Sequence, residues 1–425
     1  MAGALTALAA VLLYQLHWIG GDAPGSMLRV EMFRQGHYWR IPAWFGGFPN
    51  VTYSFLLPPI GAFFGVPATV CGAAGIATAA VSRLSEGVSR LRHVVGTAAF
   101  GLAMVATVAN GRVPFAMGTA FAAWSLFWLR RNTVTGNTVA AVLALGAGLC
   151  SPVAGLFLAM LAAGVLLQHL TLRRFLLLGV FGACGVGPSF VANLYFRTGG
   201  GLPCSWATAL TVAGVFVLFV VGANSMAVRI SAGIGILACL MVGAFDTPLT
   251  YIIKRLPETA GGAAAAATLT KKLAVPLIAF MCIWNVLSIR TAAIEREPER
   301  SGAVYAPLLA EFHELQPAGI IEVVPTNLHW ETYYVASSFP IARGWERQAD
   351  IDHGALFYTG LPITAEQYRE WLVAMKVEYV VLGTMPGDET AAHEKALLQQ
   401  PPEYLTEVWS DGTWTIWRFD GFAAP

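Results

Sequence analysis

Charge is what this chain has least of. Only 12% of its 425 residues are Asp, Glu, Lys or Arg, where a soluble globular domain carries roughly 25%. With 56% hydrophobic residues gathered in long runs, that scarcity excludes an ordinary soluble fold and indicates a polytopic membrane protein. The net charge is +1 and there is no basic tail, which argues against nucleic acid as a partner. Paired cysteines are also missing. The six, at 71, 150, 184, 204, 239 and 282, show no C-x-x-C spacing and read as small buried hydrophobes. Cys204, in a polar loop, is the one expected to react with a thiol reagent. No P-loop, dinucleotide fingerprint, G-x-S-x-G elbow or H-E-x-x-H stretch occurs.

Acid is absent from the first 21 residues. "MAGALTALAAVLLYQLHWIGG" has no basic n-region and no small-x-small cleavage site, so it reads as a retained first transmembrane helix rather than a signal peptide. Its missing basic flank leaves open that the chain begins upstream. Further apolar runs lie at 55–82, 94–110, 113–129, 138–150, 153–167, 175–195, 205–223, 230–246, 260–270 and 272–290. With 2–19 they make about 11 transmembrane helices, some shorter than the roughly 20 residues a span needs. The weakest is "AGGAAAAATLT" at 260–270. Basic connections at 82–93, 130–137, 168–174, 225–229 and 271–272 belong in the cytoplasm by the positive-inside rule. That puts the N-terminus inside and leaves 18–50, 110–112, 197–204, 246–258 and the C-terminus outside. The parity holds only if 260–270 crosses back.

Beyond about Arg296 the composition changes. "AGIIEVVP", "VEYVVLG", "EYLTEVW" and "TWTIWRFD" read as strands, and "SDGT" as a hairpin turn between the last two. "TAEQYREWLVAM" and "TAAHEKALLQQ" read as helices, each opening at a Thr suited to capping. The expected organisation is a transmembrane module over 1–295, including a first external loop 18–50, and an extracytoplasmic α/β domain over 296–425.

Asp22, the first acidic residue, follows Gly20-Gly21 and precedes Ala-Pro-Gly, where the backbone is free to bend. A carboxylate at a membrane edge can take a proton from an attacking hydroxyl. The plainer reading is a cap on a helix starting near Pro24. In the same loop Tyr38, Trp39 and Trp44 are flat surfaces for sugar rings, Glu31 is a polar contact for them, and Arg29, Arg34 and Arg40 can neutralise phosphate. An aromatic belt with interfacial arginines accounts for the same residues. Lys254 and Arg255, in a stretch expected outside, run against the positive-inside bias and are candidates for a phosphate clamp. A cytoplasmic position for that loop is the alternative. In 327–353, Trp330 and Trp345 are either a sugar-binding face or part of a domain core with an Arg–Glu network.

The acidic residue after the first helix in "GGDAPG", the aromatic loop leading into "FPNVTYSFLLPPIGAFFG", and an external C-terminal domain together resemble the GT-C superfamily of membrane glycosyltransferases. "DTPLTYIIKRL" and "RGWERQADIDHGALFY…YREWL" are similar to stretches of actinobacterial-type membrane proteins of that layout, with "LTYII" where those carry Gly-Ser-Asn. The resemblance implies a multi-pass protein of a bacterial cytoplasmic membrane that transfers a sugar, with inversion, from a polyprenyl-phosphate donor to an envelope glycan or glycolipid. It makes Asp22 the general base and Asp246 the nearest second acidic residue. It implies no cofactor; with no DxD pair in the loop, no divalent metal follows either. Membrane lipids, the lipid-linked donor and the acceptor are the expected partners. A lipid-linked sugar flippase and a non-catalytic envelope scaffold are the rival readings.

Overall fold

The computed structural model describes residues 1–47, 54–196, 201–247, 249–294 and 300–423. The "FPNVTY" part of the resemblance and the first residues of the 197–204 loop lie outside them. The chain is mostly helical and divides into two compact units, 1–19 with 52–295 and 20–51 with 296–425. The first loop therefore groups with the C-terminal segment, not with the membrane module to which the sequence assigned it.

In the first unit each of the eleven apolar runs falls on helix. Many of these helices begin where local chemistry favours it. Thr133, Ser151 and Ser205 accept a bond from the first turn of their helices, and proline stands in the first turn of others, where its missing N–H costs nothing. Ser151 closes Val134–Cys150 and caps Pro152–Leu167, so the Ser-Pro break separates two helices. Among the described residues, four helices are long and apolar enough to cross a membrane: Arg90–Ala109, Leu172–Phe196, Met226–Ala244 and Lys271–Ile294. A fifth span results if Leu57–Phe64 and Val66–Leu84 count as one, bent by 108°. The bend sits at Gly65, whose φ of +80° only glycine adopts readily. Five other apolar helices among the described residues are shorter, at 14 to 17 residues. The segment expected at 260–270 falls on the second half of Arg255–Thr268 and runs two residues past its end; that helix is not among the apolar helices.

Small residues set the helix spacing, as in membrane interfaces generally. A Cβ on Gly148 would lie 2.5 Å from the carbonyl oxygen of Gly185, and one on Gly155 would meet the same oxygen. Cys204 is buried, with its Sγ directed at the Ser205 carbonyl, whereas Cys184 and Cys282 are partly exposed. The expectation that Cys204 is the reactive thiol is thus corrected.

The second unit is built on a four-stranded sheet, β1 (Ile320–Val323), β2 (Val377–Gly383), β3 (Leu405–Ser410) and β4 (Trp414–Phe419), in the order β1-β2-β4-β3. β1 and β2 are parallel and the other pairings antiparallel. All four strands and the Asp411-Gly412 turn are where the sequence places them. Gly412 has a φ of +85°, and Asp411 Oδ1 accepts from Thr413 N and Trp414 N. Thr364 and Gln367 close a capping box on Ala365–Ala374. Thr390 is no cap: Ala391 occupies that position on Ala392–Leu398, and Asp388 Oδ1 takes the N–H groups of Thr390 and Ala391.

The edge of the sheet beyond β1 is completed by the first loop. Ile321 N donates to Pro340 O and Ala342 N to Ile321 O. Ile341 in turn exchanges bonds with Ala43 O and Phe45 N, at 2.9 and 3.1 Å. Residues 43–45 therefore cover what would otherwise be an exposed strand edge, a liability in any sheet. Trp44 is fully buried there and its Nε1 donates to Thr332 O at 3.1 Å.

Candidate functional site

Asp22 lies in the second unit, half-buried, at the position preceding the helix Ala23–Arg34. Its side chain makes no capping hydrogen bond, so the capping role does not describe it. The corner around it is fixed by Trp345, whose Nε1 donates to Gly21 O at 2.6 Å. A Cβ on Gly25 would come within 2.9 Å of the Trp345 ring, so glycine is what lets the indole approach this turn. Further along the helix, Arg29 Nη2 meets Glu346 Oε2 at 2.7 Å with both side chains buried. Burial pushes the Glu346 carboxyl up, and Arg29 pulls against that rise.

The other loop residues separate by exposure. Tyr38 and Trp39 meet edge to face at 4.7 Å between ring centres, and Trp39 is 59% exposed. They retain a surface for a flat ligand. Trp44 and Trp330 are core side chains, and the Trp330 ring stacks on Tyr334 at 5.5 Å between centres. Their ring faces are taken by packing, which corrects their assignment as sugar platforms. Trp345 is committed to Gly21 and Gly25 in the same way. Glu31 pairs with Arg34 and accepts from Gln35. Arg40 Nε donates to Gly47 O, holding the loop's own backbone.

Beneath the sheet lies a network the sequence only hinted at through its Arg–Glu alternative. Arg343 binds Asp350 in a fork, Nε to Oδ1 at 3.1 Å and Nη2 to Oδ2 at 2.6 Å. It also donates to Thr390 Oγ1 at 2.8 Å and approaches Glu394 Oε2 at 3.5 Å. Tyr368 and Tyr358 donate to Glu394 and Asp350. Glu322, in the middle of β1, is fully buried beside this group. Burial and the neighbouring Glu394 push the Glu322 carboxyl far up, and burial lifts Glu394 to about 7. A lone glutamate inside "IIEVV" is the signal that marks it in the sequence.

His329 holds a φ of +57° and sits between Glu331 and Asp388, at 3.5 and 3.6 Å. Burial would lower its pKa, but the Glu331 hydrogen bond and the two carboxylates outweigh that and raise it. Among the described residues no group of three or more His, Cys, Asp and Glu is arranged to hold a metal ion.

In the first unit, Lys254 and Arg255 stand at the junction of the short Thr250–Lys254 turn and Arg255–Thr268. The Lys254 ammonium lies over Tyr251 and Trp284, at 5.4 and 5.9 Å. Arg255 is buried, with its guanidinium 5.8 Å from the Phe115 ring. Adjacent in sequence, the two cations therefore occupy different environments. Asp246 is exposed. The acid that is built into a polar environment is Glu258, 3.6 Å from Arg112 and bonded by Trp284 Nε1 at 3.0 Å. Asn285 and Ser288, polar breaks in the run 272–290, were the sequence signal for this cluster.

No protein-family model matches this sequence, and no curated protein matches it closely enough to count as a relative. Fold and site together describe a helical protein with several helices able to span a membrane, joined to an α/β unit that incorporates the first loop.

Proposed function

We propose that this protein is a membrane glycosyltransferase that uses Asp22 as its general base. The observation that carries this reading is the Trp345–Gly21 bond with the close Gly25 contact. It holds the residue-22 corner against the α/β unit, and catalysis requires that kind of fixed geometry. In the proposed step the acceptor hydroxyl gives its proton to Asp22 as its oxygen bonds the anomeric carbon. The bond from that carbon to the polyprenyl phosphate breaks with its electron pair, the phosphate leaves, and configuration inverts. The acceptor is an envelope glycan or glycolipid. The proposal includes eleven crossings of a bacterial cytoplasmic membrane, with the α/β unit on the outer side.

A positioned base contributes about 10²–10⁴-fold. Asp22→Asn should lower transfer from a radiolabelled polyprenyl-phosphate sugar in membrane vesicles by that factor while leaving the protein folded. Transfer at the parental rate removes Asp22 from the role. One feature favours a flippase instead: the 108° break at Gly65, since transporters place substrate at discontinuous helices. Lipid-linked sugar crossing reconstituted vesicles without a change in its glycosidic bond would support that alternative.

A further inference from the structure

Three helix ends meet at one corner of the first unit: the end of Val66–Leu84, the start of Arg90–Ala109 and the end of Val113–Leu129. Arg130 Nη1 donates to Leu84 O, which joins the first of these to the third. Ser85 gives its hydrogen to Ser82 O at 3.1 Å, so His93 Nδ1 donates to Ser85 Oγ, at 2.9 Å, and joins the first to the second. Arg83, Arg90, Arg92, Arg130 and Arg131 stand on these three ends, and four of the five are exposed. We propose that the corner binds the phosphate of an anionic phospholipid.

Charge is the first reason. Between Glu31 and Asp246 the only acidic residue is Glu86, so five arginines share a single carboxylate. Glu86 pairs with Arg83 at 2.9 Å, and both side chains are more than half exposed. Surface pairs of this kind hold weakly, so a phosphate can displace the carboxylate. Arg90, Arg92, Arg130 and Arg131 have no ion-pair partner among the described residues.

The second reason is where two of the charges sit. Arg90 and Arg92 occupy the first turn of a 20-residue helix that has no acidic residue there. The helix dipole is positive at that end and repels cations, and a bound anion relieves the repulsion. Third, guanidinium groups are held in place. Arg131 lies over Phe127 and Trp128, 4.9 and 4.7 Å from their ring centres. Arg130 is anchored through one nitrogen, which leaves its other donors to fork onto phosphate oxygens.

Apolar neighbours indicate a lipid rather than a soluble phosphate. Leu91 and Val94, beside these arginines, are 68% and 55% exposed. Their helix is long and apolar enough to cross a membrane. A phosphate held at the start of such a span lays its acyl chains along apolar side chains, and basic clusters next to spans recur as lipid sites.

The test uses the full chain in dodecyl maltoside, with hydrogen exchange followed over segments 82–93 and 128–132 as lipid is added. Dioleoylphosphatidylglycerol should slow exchange in both segments, and dioleoylphosphatidylcholine at the same mole fraction should not. Each arginine neutralised should weaken the apparent affinity about 5-fold, so Arg131→Gln should cost about 5-fold and Arg90→Gln with Arg92→Gln about 25-fold. Arg90 and Arg92 have no hydrogen-bonded side-chain partner among the described residues, so the fold should tolerate that pair of changes. Glu86→Gln should tighten binding, because it frees Arg83. Lys271→Gln with Lys272→Gln, an equal change of charge in another connection, should leave the affinity unaltered.

Protection by phosphatidylcholine as strong as by phosphatidylglycerol overturns the proposal. So does equal protection by inorganic phosphate, which would make the ligand a soluble anion. An unchanged affinity in both arginine variants, or a loss in the lysine variant as large as theirs, overturns it as well. The corner has no part in the Asp22 reading, and Asp22→Asn should leave this binding as it is.

Discussion

Arg29 Nη2 lies 2.7 Å from Glu346 Oε2, with side chains 4% and 11% exposed, although the two residues are 317 positions apart in the chain. The pair joins a helix that follows the first apolar segment to the C-terminal α/β region. A buried ion pair of this kind adds little net stability compared with apolar residues, but removing one partner strands the other charge.

Arg29→Met should therefore destabilise the second unit by about 3–5 kcal/mol. The double variant Arg29→Met with Glu346→Leu should recover most of that loss. Thermal denaturation of the full chain, followed by near-ultraviolet signals, checks both. A single variant as stable as the parent would mean that Glu346 is not isolated from water.

Trp345→Phe keeps the ring near Gly25 and loses the N–H that binds Gly21. The expected cost is about 1 kcal/mol, with faster hydrogen exchange confined to residues 20–25. If the Asp22 proposal holds, transfer should fall by more than stability does, because the variant loosens the corner that carries the base.

The buried carboxyls predict a pH dependence. Glu394 is raised from 4.5 to about 7 and Glu322 is raised further in the same direction, both first by burial. The folded unit then holds more protons than the unfolded chain above pH 4.5. Their contribution is fully present below that pH and is lost as pH rises through about 7 and beyond. The groups facing them are Arg343, Asp350, Tyr368 and Thr390. His329, also raised, has the same sign: its contribution is present below 6.5 and fades above. Melting temperature measured from pH 5 to 9 should decline, and Glu322→Gln should flatten that decline. A rising curve would contradict the arrangement.

Gly155→Leu should force apart the helices Pro152–Leu167 and Leu172–Phe196, since even a Cβ there meets the Gly185 carbonyl. Overpacking of this sort costs about 1–3 kcal/mol. Melting in detergent should show the loss, while Gly179→Leu, with open space around it, should leave stability unchanged.

Much of the secondary structure was legible because it rests on local chemistry. The four strands follow runs of β-branched and aromatic residues, the hairpin follows Asp411-Gly412, and the helix at 365 follows the Thr364–Gln367 box. Thr390 failed as a cap because its hydroxyl is engaged elsewhere, donating to Asp388 two residues back and accepting from Arg343, distant in sequence. Trp44 and Trp330 looked like ligand platforms because a buried tryptophan and an exposed one are the same letter. Glu258 was visible as an acid in a loop, but its pairing with Arg112 and Trp284 joins three separate segments.

Composition and periodicity alone established an apolar helical region and a later α/β segment, since hydrophobic period and turn residues act over a few positions. Three-dimensional packing decided which pieces belong together. It placed residues 43–45 on the sheet edge at Ile341, set Trp345 on Gly21 and enclosed several carboxyls around Arg343. Such contacts depend on the meeting of surfaces far apart in the chain, and no local pattern encodes which surfaces will meet.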